Sequence, residues 1–410
     1  MRRYVYAVAT MDTKGDELAF VAGVLRRRGV AVRMIDVGTL SSPTVPPDVT
    51  RDEVMAALPI ATGNSTATAT DRGEAIARRA DGLQAYLGRE TAAGRVLGVI
   101  GLGGSGGTAL ISPALRALPI GVPKILVSTV ASGNVAPYVD CSDIMMMYSV
   151  VDVAGLNSVS TTILANAASA MAGMVQRDEA PIGEAPAKRR TVGMTMFGVT
   201  TPCVTRVRQA LEAAGWDCLV FHATGTGGRA MEQLVDSGFI GAVLDITTTE
   251  IADELVGGIF PSGPHRFDKL LDRRVPLVLS LGALDMVNFG AKETVPAQLS
   301  GRQLHCHNAQ VTLMRTSAEE CRQIGRWIAD KLNRSTSPLR VLIPEGGLSL
   351  LDVPDQPFHD PVADAALFDS LEQHLDQNAE RQIVRLPWDI NAPEFADALI
   401  EHHQQLTSTQ

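Results

Sequence analysis

Five glycines stand in seven positions at Gly101–Gly107, directly after the apolar stretch Arg95–Ile100. A backbone stripped of side chains after a strand lets N–H groups converge on an anion at the start of the next helix, where the helix dipole also favours negative charge. Phosphate is the natural guest. The spacing satisfies the G-x-G-x-x-G of a dinucleotide fold through Gly101, Gly103 and Gly106, and it nearly makes a P-loop, with Gly107 where the lysine would stand. Neither pattern is complete. An NAD site expects an acidic residue about twenty positions on, at the end of the following strand; that strand here ends in Ser128, Thr129 and Ser132. The expected cradle is therefore a general phosphate loop over Gly103, Gly104, Ser105, Gly106, Gly107 and Thr108, with Ser128 and Thr129 beside it.

The missing positive charge has a candidate in Lys14. The run Asp12-Thr13-Lys14 follows the first strand, at the edge where open parallel sheets bind ligands. Lys14 would neutralise a phosphate, and Asp12 would help to hold a magnesium ion, which takes hard oxygen ligands. The glycine pattern then recurs: Gly104-Ser-Gly-Gly-Thr-Ala109 is answered by Gly225-Thr-Gly-Gly-Arg-Ala230. Thr224, Gly225, Thr226, Gly227 and Gly228 thus form a second candidate nucleotide loop. Strand ends nearby gather Thr200, Thr201, His222, Thr248, Asp245 and Glu250, and the two carboxylates are the candidate catalytic pair, with Lys14. His305 and His307 share a face if extended, but no third ligand at a recognisable spacing accompanies them. There is no H-E-x-x-H or C-x-x-C, which removes support for the best-marked metalloproteases and redox enzymes.

Elements that could position these residues follow from hydrophobic period. Short Val- and Ile-rich runs alternate with segments of helical period, the signature of βαβ units and a parallel sheet. Strands are expected at 4–10, 30–38, 96–103, 124–129 and 144–150, the last a buried methionine-rich strand. A helix at 15–29 carries the stripe Leu18, Val21, Val24, Leu25, and another spans about 158–176. The segment Arg177–Arg190 breaks every period with prolines and charges. Beyond it, strands are expected at 191–198, 217–223, 241–247, 276–282 and 340–344, and helices at 202–214, 227–238, 318–333 and from 393, with the end from His403 frayed. The expected organisation is α/β: two Rossmann-like lobes, 1–178 and 191–410, joined by a linker at 179–190, each with a mainly parallel sheet flanked by helices, and a cleft between them.

The chain has 410 residues, 45% of them hydrophobic and 20% charged, with a formal net charge of −9. No basic run exceeds Ala187–Arg190, so a nucleic-acid partner is not expected. Five scattered cysteines, an odd number, suit a reducing cytoplasm better than a disulfide framework. The N-terminal apolar run is too short for a signal segment or a span, and no membrane partner is expected.

The runs ATMDTKGDELAF (9–20), GLGGSGGTAL (101–110), VSTVASG (127–133), MMYSVVDVAGLN (146–157), GMTMFGVTTPCV (193–204), FHATGTGGRAMEQLV (221–235), DITTTE (245–250), GALDMVNFG (282–290) and VTLMRT (311–316) resemble, in order, an ATP-binding family. That family is named after the N-terminal domain of the tomato mosaic virus resistance protein and is mostly bacterial and uncharacterised. The resemblance implies ATP as ligand, two Rossmann-like subdomains and a homodimer. It attaches no reaction. Two expectations follow: an ATP-dependent ligase- or kinase-like enzyme acting on an unknown small acid at Asp245 and Glu250, or a regulatory module that uses ATP as structural ligand or sensor. Pro113 departs from the pattern, because a proline beyond the first turn removes a helix donor.

Overall fold

The computed structural model describes residues 2–59, 72–176 and 190–408. The chain forms two compact units, Met1–Ile182 and Gly183–Gln410. The expected linker at 179–190 lies, up to residue 189, outside the described residues.

The N-terminal unit runs β1 (Tyr4–Ala9), α1 (Met11–Arg27), β2 (Val32–Asp36), α2 (Arg51–Met55), α3 (Arg72–Ala92), β3 (Val96–Gly103), α4 (Ser105–Arg116), β4 (Lys124–Ser128), α5 (Ala136–Val139), β5 (Met145–Tyr148) and α6 (Ser158–Val175). Its sheet has the order β2-β1-β3-β4-β5, parallel throughout. Alternate residues of each strand feed opposite faces. Val5, Ala7, Ile100 and Val127 pack under Leu18 and Leu25 of α1 and Leu164 and Met171 of α6. Tyr6, Val8, Val99 and Leu126 pack under Leu83 and Leu87 of α3 and Ile111 and Leu115 of α4. Burial on both faces is why these strands read as unbroken apolar runs. Helix α6 is the one described helix long and apolar enough to cross a membrane, and one face of it packs on this sheet.

The C-terminal unit runs β6 (Thr191–Met196), α7 (Thr201–Ala213), β7 (Asp217–His222), α8 (Thr226–Asp236), β8 (Ala242–Thr247), α9 (Thr249–Val256), α10 (Asp268–Arg273), β9 (Leu277–Gly282), β10 (Met286–Phe289), β11 (Leu304–Asn308), β12 (Val311–Arg315), α11 (Ala318–Leu332), β13 (Leu339–Pro344), α12 (Pro361–His374), β14 (Arg381–Leu386) and α13 (Pro393–Thr407). Six parallel strands form the sheet β14-β13-β9-β8-β6-β7. Helices α7 and α13 cover one face through Val207, Leu211, Phe395 and Leu399; α8, α9, α11 and α12 cover the other through Met231, Ile251, Ile328 and Leu367. A small antiparallel sheet, β10-β12-β11, branches from the end of β9.

Three expectations change. The methionine-rich strand β5 is an edge, paired only with β4, so Met145 is 43% exposed rather than buried. Helix α4 begins at Ser105 and runs through Pro113, forgoing the bond that an N–H there would make. Within the described residues the end from His403 is not frayed: α13 continues to Thr407, and the buried His403 ring packs edge-on against Trp216, 4.7 Å between centroids.

Candidate functional site

In the N-terminal sheet β1 has β2 on one side and β3 on the other, so the chain leaves its carboxyl edge in two opposite directions. Crevices at such a reversal are where open α/β sheets bind ligands. A cleft of about 550 Å³ opens there, lined by Asp12, Thr13 and Lys14 beyond β1, by Gly104–Gly107 beyond β3, and by Thr129 beyond β4. Residues 90 positions apart in sequence therefore meet in one place, as their strand-end positions required.

The glycines divide into two kinds. A Cβ on Gly101 would lie 2.8 Å from Leu126 Cδ1 and 2.9 Å from Ile111 Cγ2. One on Gly103 would lie 2.8 Å from the backbone of Gly107 and Thr108. These two let α4 close onto the sheet. Gly104, Gly106 and Gly107 are different: a Cβ would meet nothing nearer than 3.7, 4.0 and 3.6 Å respectively, and none of the three has a positive φ. Nothing among the described residues requires them to be glycine. What they leave bare is the first turn of α4, whose N-cap Gly104 supplies no side-chain bond. Among the described residues, no acceptor meets the amides of Ser105, Gly106 and Gly107. By contrast, α6, α11 and α12 are capped by Asn157, Ser317 and Asp360. Uncapped amides at a helix N-terminus are donors that an anion can satisfy.

Thr108 and Ser128, both expected as ligand contacts, are fully buried and bond each other, Oγ1 to Oγ at 2.6 Å. Ser128 Oγ also accepts the Val130 amide at 3.1 Å. They pin α4 to the end of β4 behind the cleft, as Gly103 does from β3.

Across the cleft, α1 is interrupted at Lys14 (φ −136°, ψ 24°). The Lys14 ammonium donates to the Val153 carbonyl at 2.5 Å, leaving further donors on the same group. Asp12 Oδ2 accepts the Leu40 amide at 2.9 Å. Its Oδ1 is buried and accepts no bond among the described residues. Gly38 makes room for that carboxylate, since a Cβ there would sit 2.8 Å from Asp12 Cγ. Asp36, which the sequence reading passed over, anchors the turn: its Oδ1 accepts the amides of Met11 and Gly38, and its carboxylate pairs with Arg51 at 2.7 Å. Buried Glu17 does the same for the loop after β5 by accepting the Gly155 amide. Tyr148, Leu40 and Ile76 also line the cleft. Their only signal in the sequence was proximity to a strand end or a helix.

The second glycine loop is filled from within, and its candidate residues correct the expectation. Glu250 Oε1 accepts the amides of Gly225 at 2.8 Å and Gly228 at 3.2 Å, so the anion at the N-terminus of α8 is a side chain. Each glycine there has an internal reason: Gly225 has φ +80°, and a Cβ on Gly227 or Gly228 would overlap the His222 carbonyl or the Glu250 carboxylate. Thr226 is exposed at the start of α8, and Thr224 lines a separate cavity. Asp245 and Glu250, expected to receive a substrate, are wholly buried around Arg266, itself 1% exposed. The guanidinium meets Asp245 at 2.6 Å, Glu232 at 2.9 Å and Glu250 at 3.4 Å. Burial pushes the carboxyls of Glu232 and Glu250 up against the pull of Arg266. Thr195, Thr200 and Thr247 close the same edge: Thr195 Oγ1 bonds Asp245 at 2.7 Å, and the Thr200 and Thr247 hydroxyls bond each other at 2.7 Å. These polar strand ends are a sealed network. His305 and His307 lie on β11, and no group of three metal-ligating side chains occurs among the described residues.

Two family models match: the N-terminal domain of an uncharacterised protein family (UPF0261) over residues 3–180 and its C-terminal domain over residues 189–407. A UPF0261 protein of Rhizobium meliloti (strain 1021) is 50% identical over 406 residues, covering 98% of this chain and 99% of the relative. A UPF0261 protein of Clostridium tetani is 44% identical, covering 97% and 98% respectively. The ToMV resistance protein Tm-1 of Solanum lycopersicum is 44% identical over 98% of this chain, which spans 56% of that protein. With both of its units matched along nearly their full length, the chain belongs to the uncharacterised protein family UPF0261.

Proposed function

We propose that the N-terminal unit is a nucleotide-binding module that takes ATP with Mg2+, the phosphates resting on the first turn of α4. The observation that carries this reading is the set of bare amides at Ser105, Gly106 and Gly107, flanked by glycines that no internal contact demands. Lys14 faces the loop with a positive charge, and a cleft of about 550 Å³ falls within the ordinary range for ligand sites. The orphaned Asp12 Oδ1 fits a magnesium ligand, because a buried carboxylate oxygen without a donor is otherwise costly. Mg2+ held there would offset phosphate charge. Tyr148, Leu40 and Ile76 offer apolar surface to a base. The reading stops at binding, since the carboxylates expected to serve a second substrate are closed around Arg266.

Thermal unfolding with ATP, ADP, AMP, NAD and NADH, each with and without Mg2+, tests it on the wild type and on Gly106→Val. A Cβ at 106 would meet no described atom nearer than 4.0 Å, and the position lines the cleft, so a valine there narrows it. Ligand at about 100 times Kd adds about 2.7 kcal/mol, a rise of roughly 5–10 °C for a unit of this size. The expected result is a rise with ATP and Mg2+ in the wild type only, from equal unliganded midpoints. No response of the wild type to ATP, or an equal response in the variant, would refute the reading.

A further inference from the structure

In the C-terminal sheet, β6 lies between β7 and β8, so the chain again reverses direction at one carboxyl edge. The β8 side of that edge is sealed by the Arg266 cluster and the threonines. The β6–β7 side is open. A cavity of about 300 Å³ lies beyond the ends of these two strands, roofed by the β11–β12 hairpin. Phe197, Phe260 and Leu313 give it apolar walls, and His222 and His307 bring two imidazoles. The His222 ring lies against Phe197, 5.4 Å between centroids and tilted 32°.

Three donors at this cavity have no partner among the described residues: the rings of His222 and His307 and the amide of Gly198. An imidazole presents at least one N–H in either protonation state. Gly198 opens the short 3-10 turn that precedes α7. A Cβ on Gly198 would meet no atom within 4 Å, and its φ is not positive; space beside it is kept by the absence of a side chain alone. Among the described residues the lining contains no lysine, arginine or carboxylate. That composition suits neither a polyphosphate nor a cation. It suits a single weak oxyanion carried on a flat apolar body. The volume is at the small end for ligand sites of about 300–1,000 Å³, room for one ring and not for a nucleotide.

We infer that this cavity is a binding site for a small aromatic monocarboxylate, its ring between Phe197 and Leu313 and its carboxylate on the Gly198 amide and the two imidazoles. The site uses only residues of the C-terminal unit, so it stands or falls separately from the nucleotide reading.

Calorimetric titration of the full chain with benzoate and phenylacetate, and with the isosteric neutral amides as controls, tests it. The acids bind saturably, and the amides bind at least about tenfold more weakly, since hydrogen bonds to a charged acceptor contribute more than those to a neutral one. Gly198→Leu fills the cavity and lowers acid affinity at least about tenfold. His307→Ala, on an exposed strand and so free of folding consequences, lowers it several-fold. Gly106→Val, which changes the other cleft, leaves it unchanged. The inference is overturned if no acid binds saturably, if acid and amide bind alike, or if His307→Ala binds as wild type. It is equally overturned if Gly106→Val abolishes binding, which would put the acid in the N-terminal cleft.

Discussion

Replacing Arg266 by methionine isolates what the buried cluster contributes. Methionine fills the space of the stem but supplies no charge or donor, leaving Asp245, Glu232 and Glu250 facing one another in a site closed to water. In the wild type, burial works against the guanidinium's charge, and the three surrounding carboxyls overcome it and raise its pKa. Burial also pushes the Glu232 and Glu250 carboxyls up, so the cluster depends on the guanidinium to hold negative charge there. Without the arginine that charge has no partner, and the folded variant escapes by taking up a proton. Protonating a carboxyl that ordinarily titrates near 4 costs about 1.4 kcal/mol per pH unit, hence about 4 kcal/mol at pH 7 and about 1.4 kcal/mol at pH 5. The first figure agrees with the roughly 3–5 kcal/mol lost when one partner of a buried pair is removed. The assay is urea unfolding followed by tryptophan fluorescence, which reports the C-terminal unit alone because Trp216, Trp327 and Trp388 all lie there. Arg266→Met should lose most stability at pH 7 and recover more than half of that loss at pH 5. Equal losses at the two pH values, or a loss below about 1 kcal/mol at pH 7, would refute the charge argument.

A second acidic cluster predicts the pH profile of the wild type. Burial, with Asp285 and Asp364 adding to it, pushes the Asp352 carboxyl up to about 9, and burial raises Asp285 to about 6, both near Arg315. Carboxyls raised in the folded state hold protons that the unfolded chain has released, so their contribution falls as pH rises from about 4 through about 9. The fluorescence-detected midpoint should decline between pH 5 and 9, and Asp352→Asn should flatten the decline; a midpoint that rises over that range would contradict the assignment. In the N-terminal unit, Gly103→Ala should cost about 1–3 kcal/mol, because its methyl meets the backbone of Gly107 and Thr108, while Gly104→Ala should stay within about 0.5 kcal/mol. Calorimetric unfolding that finds the two equal would dissolve the division between packing glycines and bare ones.

The parallel sheets were legible because both faces of each strand are buried, which writes an apolar run such as Val96–Ile100 with little polar interruption. The strand-end rule then brought Asp12, Lys14 and Gly104–Gly107 to one edge before any coordinates. The antiparallel β10-β12-β11 sheet was not legible. Its strands are only four or five residues long, and Leu304–Asn308 carries polar residues at alternate and adjacent positions. The methionine run was misread for a related reason: residue type reports a preference for burial, whereas only topology decides that β5 is an edge. Arg266 and Arg315 left no signal either. A lone arginine in a loop or a strand is indistinguishable from a surface residue until three carboxylates from other elements converge on it.

The two copies of the glycine pattern show why a motif alone does not settle binding. Both sit between a parallel strand and a helix, and both leave amides at a helix N-terminus. What differs is the end of the next strand. After the second loop, β8 leads through Thr248 and Thr249 to Glu250, whose carboxylate reaches back to the amides of Gly225 and Gly228. After the first, β4 ends in Ser128 and Thr129; Ser128 turns inward to Thr108, and Thr129 lines the cleft without capping α4. An acid at that position satisfies the loop internally and turns it into a folding element, with glycines held by steric need. Hydroxyls there leave the amides bare, with glycines that nothing internal explains. The residue that fills one loop and not the other thus lies just past the neighbouring strand, in the first turn of the helix that follows it, some twenty residues beyond the pattern itself.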